Sequence, residues 1–399
     1  MRDALSVNAT TQFALRNTQY ENAGEKTPEC FRRGLRKTNV KIFVVLLIVL
    51  AIVIAFFALV QLDTTGKKGK TLGKEFVYDV GDLAKVDPNL ILYEESAQPI
   101  NTGFVSSRGI AVDSHGSIYV VGDKAIRIFA DSGDLPLTKR SGVKLADAPR
   151  CLAVADDGNI YVGVKGHVEV YDRGGKRLAG WQGLDDDSLL TSIAIWKDDV
   201  FVADAGGRIV LRYDVAGRLI NRIGQKNEDK DQTGFQPAGF VVPSPHFDLA
   251  VGCDGLLRVV NPGRHRVEAY TFDGDLEFWW GQFSSDVRGF CGCCNPVNFA
   301  ILEDGSFVTC EKGLIRVKIY SPEGDFVGVV AGPEQLVKEG ASHICETTAE
   351  CQTGSFDVAV GPRGQIFVLD TIKNVVRTFT RKKEINGTRK KLVPAKAGK

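Results

Sequence analysis

The 399-residue chain reads as an all-β protein, a six-bladed β-propeller preceded by a single N-terminal transmembrane helix. Three observations lead there. One segment pattern recurs six times, each copy alternates apolar and polar residues between glycine-bearing turns, and one long apolar run stands apart from the repeats. Forty-three glycines against a single Met fit many tight turns and few long helices.

The apolar run comes first. Ile42 to Val60 are nineteen consecutive uncharged residues, the length a helix needs to cross a hydrocarbon core. A cleaved signal peptide has a shorter apolar core nearer the start of the chain, so an uncleaved anchor is expected over residues 42–62. Arg32, Arg33, Arg36, Lys37 and Lys41 before the run outnumber Lys67, Lys68, Lys70 and Lys74 after it. That bias puts the N-terminus in the cytoplasm, with the large domain on the extracytoplasmic side of a single-pass cytoplasmic-membrane protein. Residues 1–41 are expected to be a disordered cytoplasmic tail and 63–89 a linker.

Formal net charge is +1, but the charge is unevenly spread. Between residues 77 and 380 the chain holds 30 basic and 42 acidic residues, while both ends are basic. An acidic body excludes a surface that tracks phosphate backbones, so no nucleic acid partner is expected. Residues 381–399 form a basic, disordered tail.

The body, residues 90–380, is the repeat. Its copies run GIAVDSHGSIYVVGDKAIRIFADSGD from Gly109, CLAVADDGNIYVGVKGHVEVYDRGGK from Cys151 and SIAIWKDDVFVADAGGRIVLRYDVAGR from Ser192. DLAVGCDGLLRVVNPGRHRVEAYTFDGD follows from Asp248, NFAILEDGSFVTCEKGLIRVKIYSPEGD from Asn298 and DVAVGPRGQIFVLDTIKNVVRTFTRK from Asp357. Their shared alanines are Ala111, Ala153, Ala194, Ala250, Ala300 and Ala359. Each copy supplies three or four antiparallel strands turning at Asp-Gly-like pairs and again at glycines such as Gly133, Gly217, Gly274 and Gly324. No copy can bury both of its faces alone, so six must pack radially. The sixth has only three clear strands, and residues 90–95 are apolar and β-rich. This segment is expected to add the outer strand of blade six and remove two open sheet edges.

The pattern of an apolar residue, Ala-Val, a turn glycine, an apolar residue, Tyr or Phe, Val-x-Asp and then Arg-x-Phe or Arg-x-Tyr resembles the NHL-repeat family of propellers. The resemblance covers about residues 100 to 380 and is best in blade three, through Phe201-Val202-Ala203-Asp204 and Val210-Leu211-Arg212-Tyr213. Blade two departs from it, with Gly163 in the place of Asp204, as does blade five, with Cys310. The stretch from Val86 to Glu95 and the single span resemble membrane-anchored bacterial NHL-type proteins of undefined activity. Such a likeness implies a fold more firmly than a function.

Eight of the nine cysteines fall in the body, and the topology sorts them. With the Asp-Gly turns at the bottom, Cys291, Cys293, Cys294, Cys310, Cys345, Cys351 and Cys151 share the top face, and Cys253 lies at the bottom. In an oxidising compartment these are expected to form disulfides, Cys345 with Cys351 for example. The alternatives are a thiolate-ligated metal or iron-sulfur site drawing on Cys291, Cys293, Cys294, Cys310 and Cys345 or Cys351, or buried thiols.

The residue two before each shared Ala opens the innermost strand at the channel mouth: Gly109, Cys151, Ser192, Asp248, Asn298 and Asp357. Asp248, Asn298 and Asp357 belong to consecutive blades and could hold a hard cation such as Ca²⁺. Propeller lactonases place a catalytic metal in this position, which makes a metal-dependent hydrolase one alternative. No Glu stands nearby as a general base, and such Asp and Asn residues also bond backbone N–H groups. Arg108 and Arg150 stand one residue further up, suited to pairing with those carboxylates or to an anionic ligand. The five histidines show no metal-pair spacing and flank no Gly-x-Ser-x-Gly nucleophile. Trp279 and Trp280 are adjacent, so in a strand one faces inward and one outward, and with Phe283 they lead into the cysteine loop. The expected function is binding or scaffolding of a protein partner through this cysteine-rich top face, with a cluster-carrying redox subunit as a further alternative.

Overall fold

In a computed structural model of the chain the described residues are 32–61, 85–130, 138–224, 239–337 and 356–383. Cys345, Cys351, His343, most of the expected N-terminal tail and linker, and nearly all of the C-terminal tail lie outside them. The chain divides into two units, residues 1–78 and 79–399.

In the first unit a helix, Arg32–Gln61, carries the apolar run. Its side chains are described from Lys41 to Phe57 and are exposed throughout. Among the described residues no helix is long and apolar enough to cross a membrane. The span expected over 42–62 is therefore not shown by the structure.

The second unit is a six-bladed β-propeller. Its innermost strands are Ser107–Val112, Pro149–Val154, Leu190–Trp196, Leu249–Val251, Asn298–Ile301 and Phe356–Val360. The first five each open a four-stranded antiparallel sheet and the sixth a five-stranded one, and neighbouring innermost strands touch around the ring. The Asp-Gly turns at the bottom are built by their side chains. In blade one Asp113 accepts from the N–H groups of His115 and Ser117, and Gly116 takes the positive φ (82°) that any Cβ would oppose. The second strands, for example Ile118–Gly122 and Phe307–Glu311, are buried along their whole length. The apolar core therefore lies between blades: Trp181 sits against Tyr161 of blade two and Tyr213 of blade three, and Trp280 of blade four against Phe307 and Tyr320 of blade five.

Blade six closes from the other end of the chain. Its own third strand, Val375–Arg381, receives Tyr93–Glu95 as an antiparallel fourth, with Tyr93 opposite Arg381 and Glu95 opposite Phe379. Ile100–Asn101 pairs further along the same strand. Arg377 grips Glu95 with two bonds of 2.8 and 2.6 Å. The preceding segment is docked as well: Val86 is buried, and Leu92 N donates to Val329 O of blade five. The fold thus begins inside the expected linker. It also ends two residues into the expected tail, where Lys382 N donates to Leu92 O.

Strand register corrects the repeat alignment. Ala194 faces Phe201, and the corresponding Ala153 and Ala300 face Tyr161 and Val308. The counterparts of Asp204 are therefore Val164 and Glu311, not Gly163 and Cys310. Gly163 is a glycine for a packing reason, since a Cβ there would stand 2.5 Å from Cys151 Sγ.

Replacing Glu95 by Ala leaves Arg377, which is 10% exposed, without its counter-charge at the closing seam. A loss of about 1–2 kcal/mol is expected in urea unfolding of the wild-type and E95A chains, at the lower end for a charged pair because Glu95 is partly solvated.

Candidate functional site

The top rim of blades four and five is assembled from the loop joining the outer strand of blade four, Leu276–Trp280, to the innermost strand of blade five. On the top face the polar residue that ends a second strand holds the loop arriving at its blade. Asp204 Oδ1 accepts from Leu189 N, Asn261 Oδ1 from Val241 N, and Glu311 Oε1 from Cys291 N at 2.9 Å. Glu311 therefore does for the cysteine loop what Asp204 does in blade three.

Beneath that loop lies a buried ionic cluster. Glu311, Arg316 and Lys318 are all at most 1% exposed. Lys318 Nζ is 3.0 Å from Glu311 Oε2 and also donates to the carbonyls of Gly289 (2.6 Å) and Val287 (3.1 Å). Arg316 Nε is 2.9 Å from the same carboxylate oxygen, but its N–H is not aligned for a hydrogen bond, so this contact is Coulombic. Burial lowers the Lys318 pKa to about 8 against the opposing pull of Glu311. Tyr320 OH donates to Arg288 O. Asn295 bridges the loop to blade five, donating to the carbonyls of Cys291 and Lys312 and accepting from Lys312 N. His265 Nε2 is 2.6 Å from Gly292 O, which makes this nitrogen the donor.

On this framework the expected binding residues divide by exposure. Trp279 (53%) and Phe283 (63%) face outward, and Trp280 (6%) is core. Arg266 lies 4.6 Å over the Trp279 ring, and His265 meets Phe283 edge-on. Cys293 is exposed, Cys291 is half-buried and Cys294 is buried. The sulfurs of Cys293 and Cys294 lie 3.4 Å apart and are not bonded. Cys151, Cys253, Cys291, Cys293, Cys294 and Cys310 are all free thiols, so no disulfide is present among the described residues.

Cys310 belongs elsewhere. It is fully buried beside the channel, where burial first and then Asp357 and Asp248 push its pKa well up. Cys151 is buried near the same two carboxylates, with its thiol pushed up to about 12. The structure thus separates a loop trio, Cys291, Cys293 and Cys294, from a channel pair, Cys151 and Cys310. Among the described residues no three His, Cys, Asp or Glu side chains gather in a way that could hold a metal ion.

The channel-mouth residues join blades. Asp248 accepts from its neighbour Leu249 N (2.9 Å) and from Phe299 N of blade five (2.7 Å). Asn298 Nδ2 donates to Phe356 O of blade six (2.7 Å). Asp357 accepts from Val358 N and, across the closing seam, from Ile110 N of blade one (3.0 Å). Both carboxyls are driven up, Asp248 by burial and Asp357 by burial and then by the Asp248 charge.

Sequence reasoning missed Glu311, Arg316, Lys318 and His265. The equivalence of Glu311 to Asp204 was the available signal, and it appears only once the strands are in register.

No family model and no curated protein matches the chain. Solved structures do. A protein of unknown function from Bacteroides thetaiotaomicron is similar at 14% identity and a TM-score of 0.50, over 72% of this chain and 71% of that one. Virginiamycin B lyase from Staphylococcus aureus is similar at 13% and 0.46, over 71% and 98%. The WD40 propeller domain of Doa1 is similar at 16% and 0.47, over 73% and 98%. At these identities the likeness concerns the fold alone.

Two measurements check this geometry. Maleimide labelling of the native protein should modify Cys253 and Cys293 at least about a hundredfold faster than Cys151 and Cys310, which should react only in denaturant. The raised carboxyls bind protons in the folded state at a pH where the unfolded chain has released them. Their contribution is complete below the ordinary carboxylate value of 3.8 and is lost as pH rises to about 7. The urea midpoint should fall across that window, and Asp357→Asn should flatten the fall.

Proposed function

We propose that this chain is a membrane-anchored, NHL-type six-bladed propeller that acts as a binding or scaffold module through the top rim of blades four and five. The observation that carries the reading is the pairing of exposed Trp279 and Phe283 with a loop immobilised by buried charges. Large aromatic side chains held out to solvent on a rigid base lose little entropy on docking, and such residues dominate the energy of protein interfaces. Cys291, Cys293 and Cys294 line the same rim, and Cys293 offers an accessible thiol there.

The anchor rests on the uncharged run from Ile42 to Val60 and on the exposure of its side chains as far as Phe57. The NHL assignment rests on the strand motif, and the extracytoplasmic placement on the flanking charges. The hydrolase and thiolate-cluster readings rest on residue types alone, since Asp248, Asn298 and Asp357 are engaged between blades and Cys310 lies apart from the loop thiols.

The test uses the full chain in its own membranes. Protein crosslinked to a partner in the wild type should lose that partner in a Trp279→Ala, Phe283→Ser double variant of equal abundance and melting temperature. Undiminished crosslinking would refute the rim as the contact. Alkaline carbonate extraction should leave the chain in the membrane pellet, and its release would refute the anchor.

A further inference from the structure

The channel mouth differs from one half of the ring to the other. One residue before each position of the hydrogen-bonded ring stand Arg108, Arg150, Thr191, Phe247, Val297 and Phe356. In blades four to six this residue is apolar and buried. In blades one to three it is the extra residue of a β-bulge, because the pairing jumps from Ser107 to Gly109, from Pro149 to Cys151 and from Leu190 to Ser192. A bulge takes its residue out of the ladder and re-aims the side chain. In blade three Thr191 is already engaged, donating to Phe247 O at 2.6 Å. In blades one and two the bulged residue is an arginine.

The backbone brings these two arginines together. Gly109 packs tightly on the next blade: a Cβ there would stand 3.1 Å from Arg150 O and 3.3 Å from Cys151 Cα. The innermost strands of blades one and two are therefore in contact one residue below the points from which Arg108 and Arg150 project. Among the described residues no hydrogen bond or ion pair ties either arginine to an acid. Burial and the charge of Arg108 both lower the Arg150 pKa, and only the Cys151 thiol opposes them. The ring carboxylates Asp248 and Asp357 are occupied by backbone N–H groups.

Both arginines line a cavity of about 660 Å³ that also reaches Lys124, Lys165 and His167. Three acids stand in its wall. Asp147 is taken by Lys165 at 3.1 Å, and Asp185 and Asp186 lie in the loop arriving at blade three. Arg150 is half-buried and Arg108 exposed, and two like charges so close, with no acid paired to either among the described residues, repel each other until an anion bridges them. Planar guanidinium forks suit the paired oxygens of a carboxylate or phosphate.

We propose that the Arg108–Arg150 pair is a binding site for the oxyanion head of a small ligand, a phosphate or carboxylate group, seated in the cavity between blades one and two. This site lies across the ring from the rim of blades four and five and does not depend on that rim's role.

The probes are inorganic phosphate and succinate, titrated calorimetrically into the full chain at low ionic strength, with chloride as the control. Saturable binding of at least one probe is expected, weakened at least tenfold in Arg108→Gln and in Arg150→Gln and unchanged in Arg218→Gln, an exposed arginine outside the cavity. Without ligand the two cavity variants should melt no lower than the wild type, because a repulsion is removed, and their melting should no longer respond to the bound probe. Phosphate binding alone would assign the head group as phosphate, and succinate binding alone as carboxylate. The proposal is overturned if neither probe saturates or if the cavity variants bind as the wild type does. It is also overturned if those variants unfold while Arg150→Lys, which keeps the charge, restores stability without any binding.

Discussion

The structure depends on hydrogen bonds that pass from one blade to the next at the narrow end of the ring. A propeller sheet is bonded only within itself, so adjacent blades are held by apolar contact unless something polar crosses the seam. Here Ser192, Asp248, Asn298 and Asp357 each reach the following blade, and the last of these bonds crosses the junction where the ring closes. Ser192 and Asp248 are buried and Asn298 and Asp357 half-buried, so leaving one of the buried pair unpaired would cost more than its bond contributes. The belt therefore selects the correct blade spacing as well as stabilising it. Residues suited by type to a cation site are in this protein the fasteners between blades.

The same economy organises the top face. The polar residue ending a second strand, as in Asp204, Asn261 and Glu311, accepts an N–H from the loop arriving at its blade. Blade five elaborates this into a buried cluster, because its carboxylate must also answer Arg316 and Lys318. Buried charges of this kind add little net stability, but each needs its partners in place, and so they hold the loop in one conformation. That rigidity distinguishes the rim bearing Trp279 and Phe283 from an ordinary exposed loop.

Much of the fold was legible in the sequence. The shared alanines counted the blades, and the three-strand remainder of blade six required a donated strand, which Tyr93–Glu95 supplies. The adjacency of Trp279 and Trp280 required opposite faces because a strand has a period of two. The candidate site was legible only in outline. Topology places Cys291, Cys293 and Cys294 on the top face but groups Cys310 with them, whereas in the folded chain Cys310 lies beside Asp248 and Asp357. An alignment by residue type puts Cys310 in the position of Asp204 and hides Glu311, whose equivalence to Asp204 only strand register shows.

The amino-acid pattern by itself determined the number of sheets, their strand order and the end of the ring at which each loop lies, because all three follow from periodicity and turn chemistry, which act between near neighbours in the chain. The tertiary structure alone decided which polar groups meet. The Asp248 bond to Phe299, the Glu311 bond to Cys291, and the contact that sets Arg108 beside Arg150 depend on strand register and on blade-to-blade distance. A shift of one residue in either would give each of these side chains a different partner.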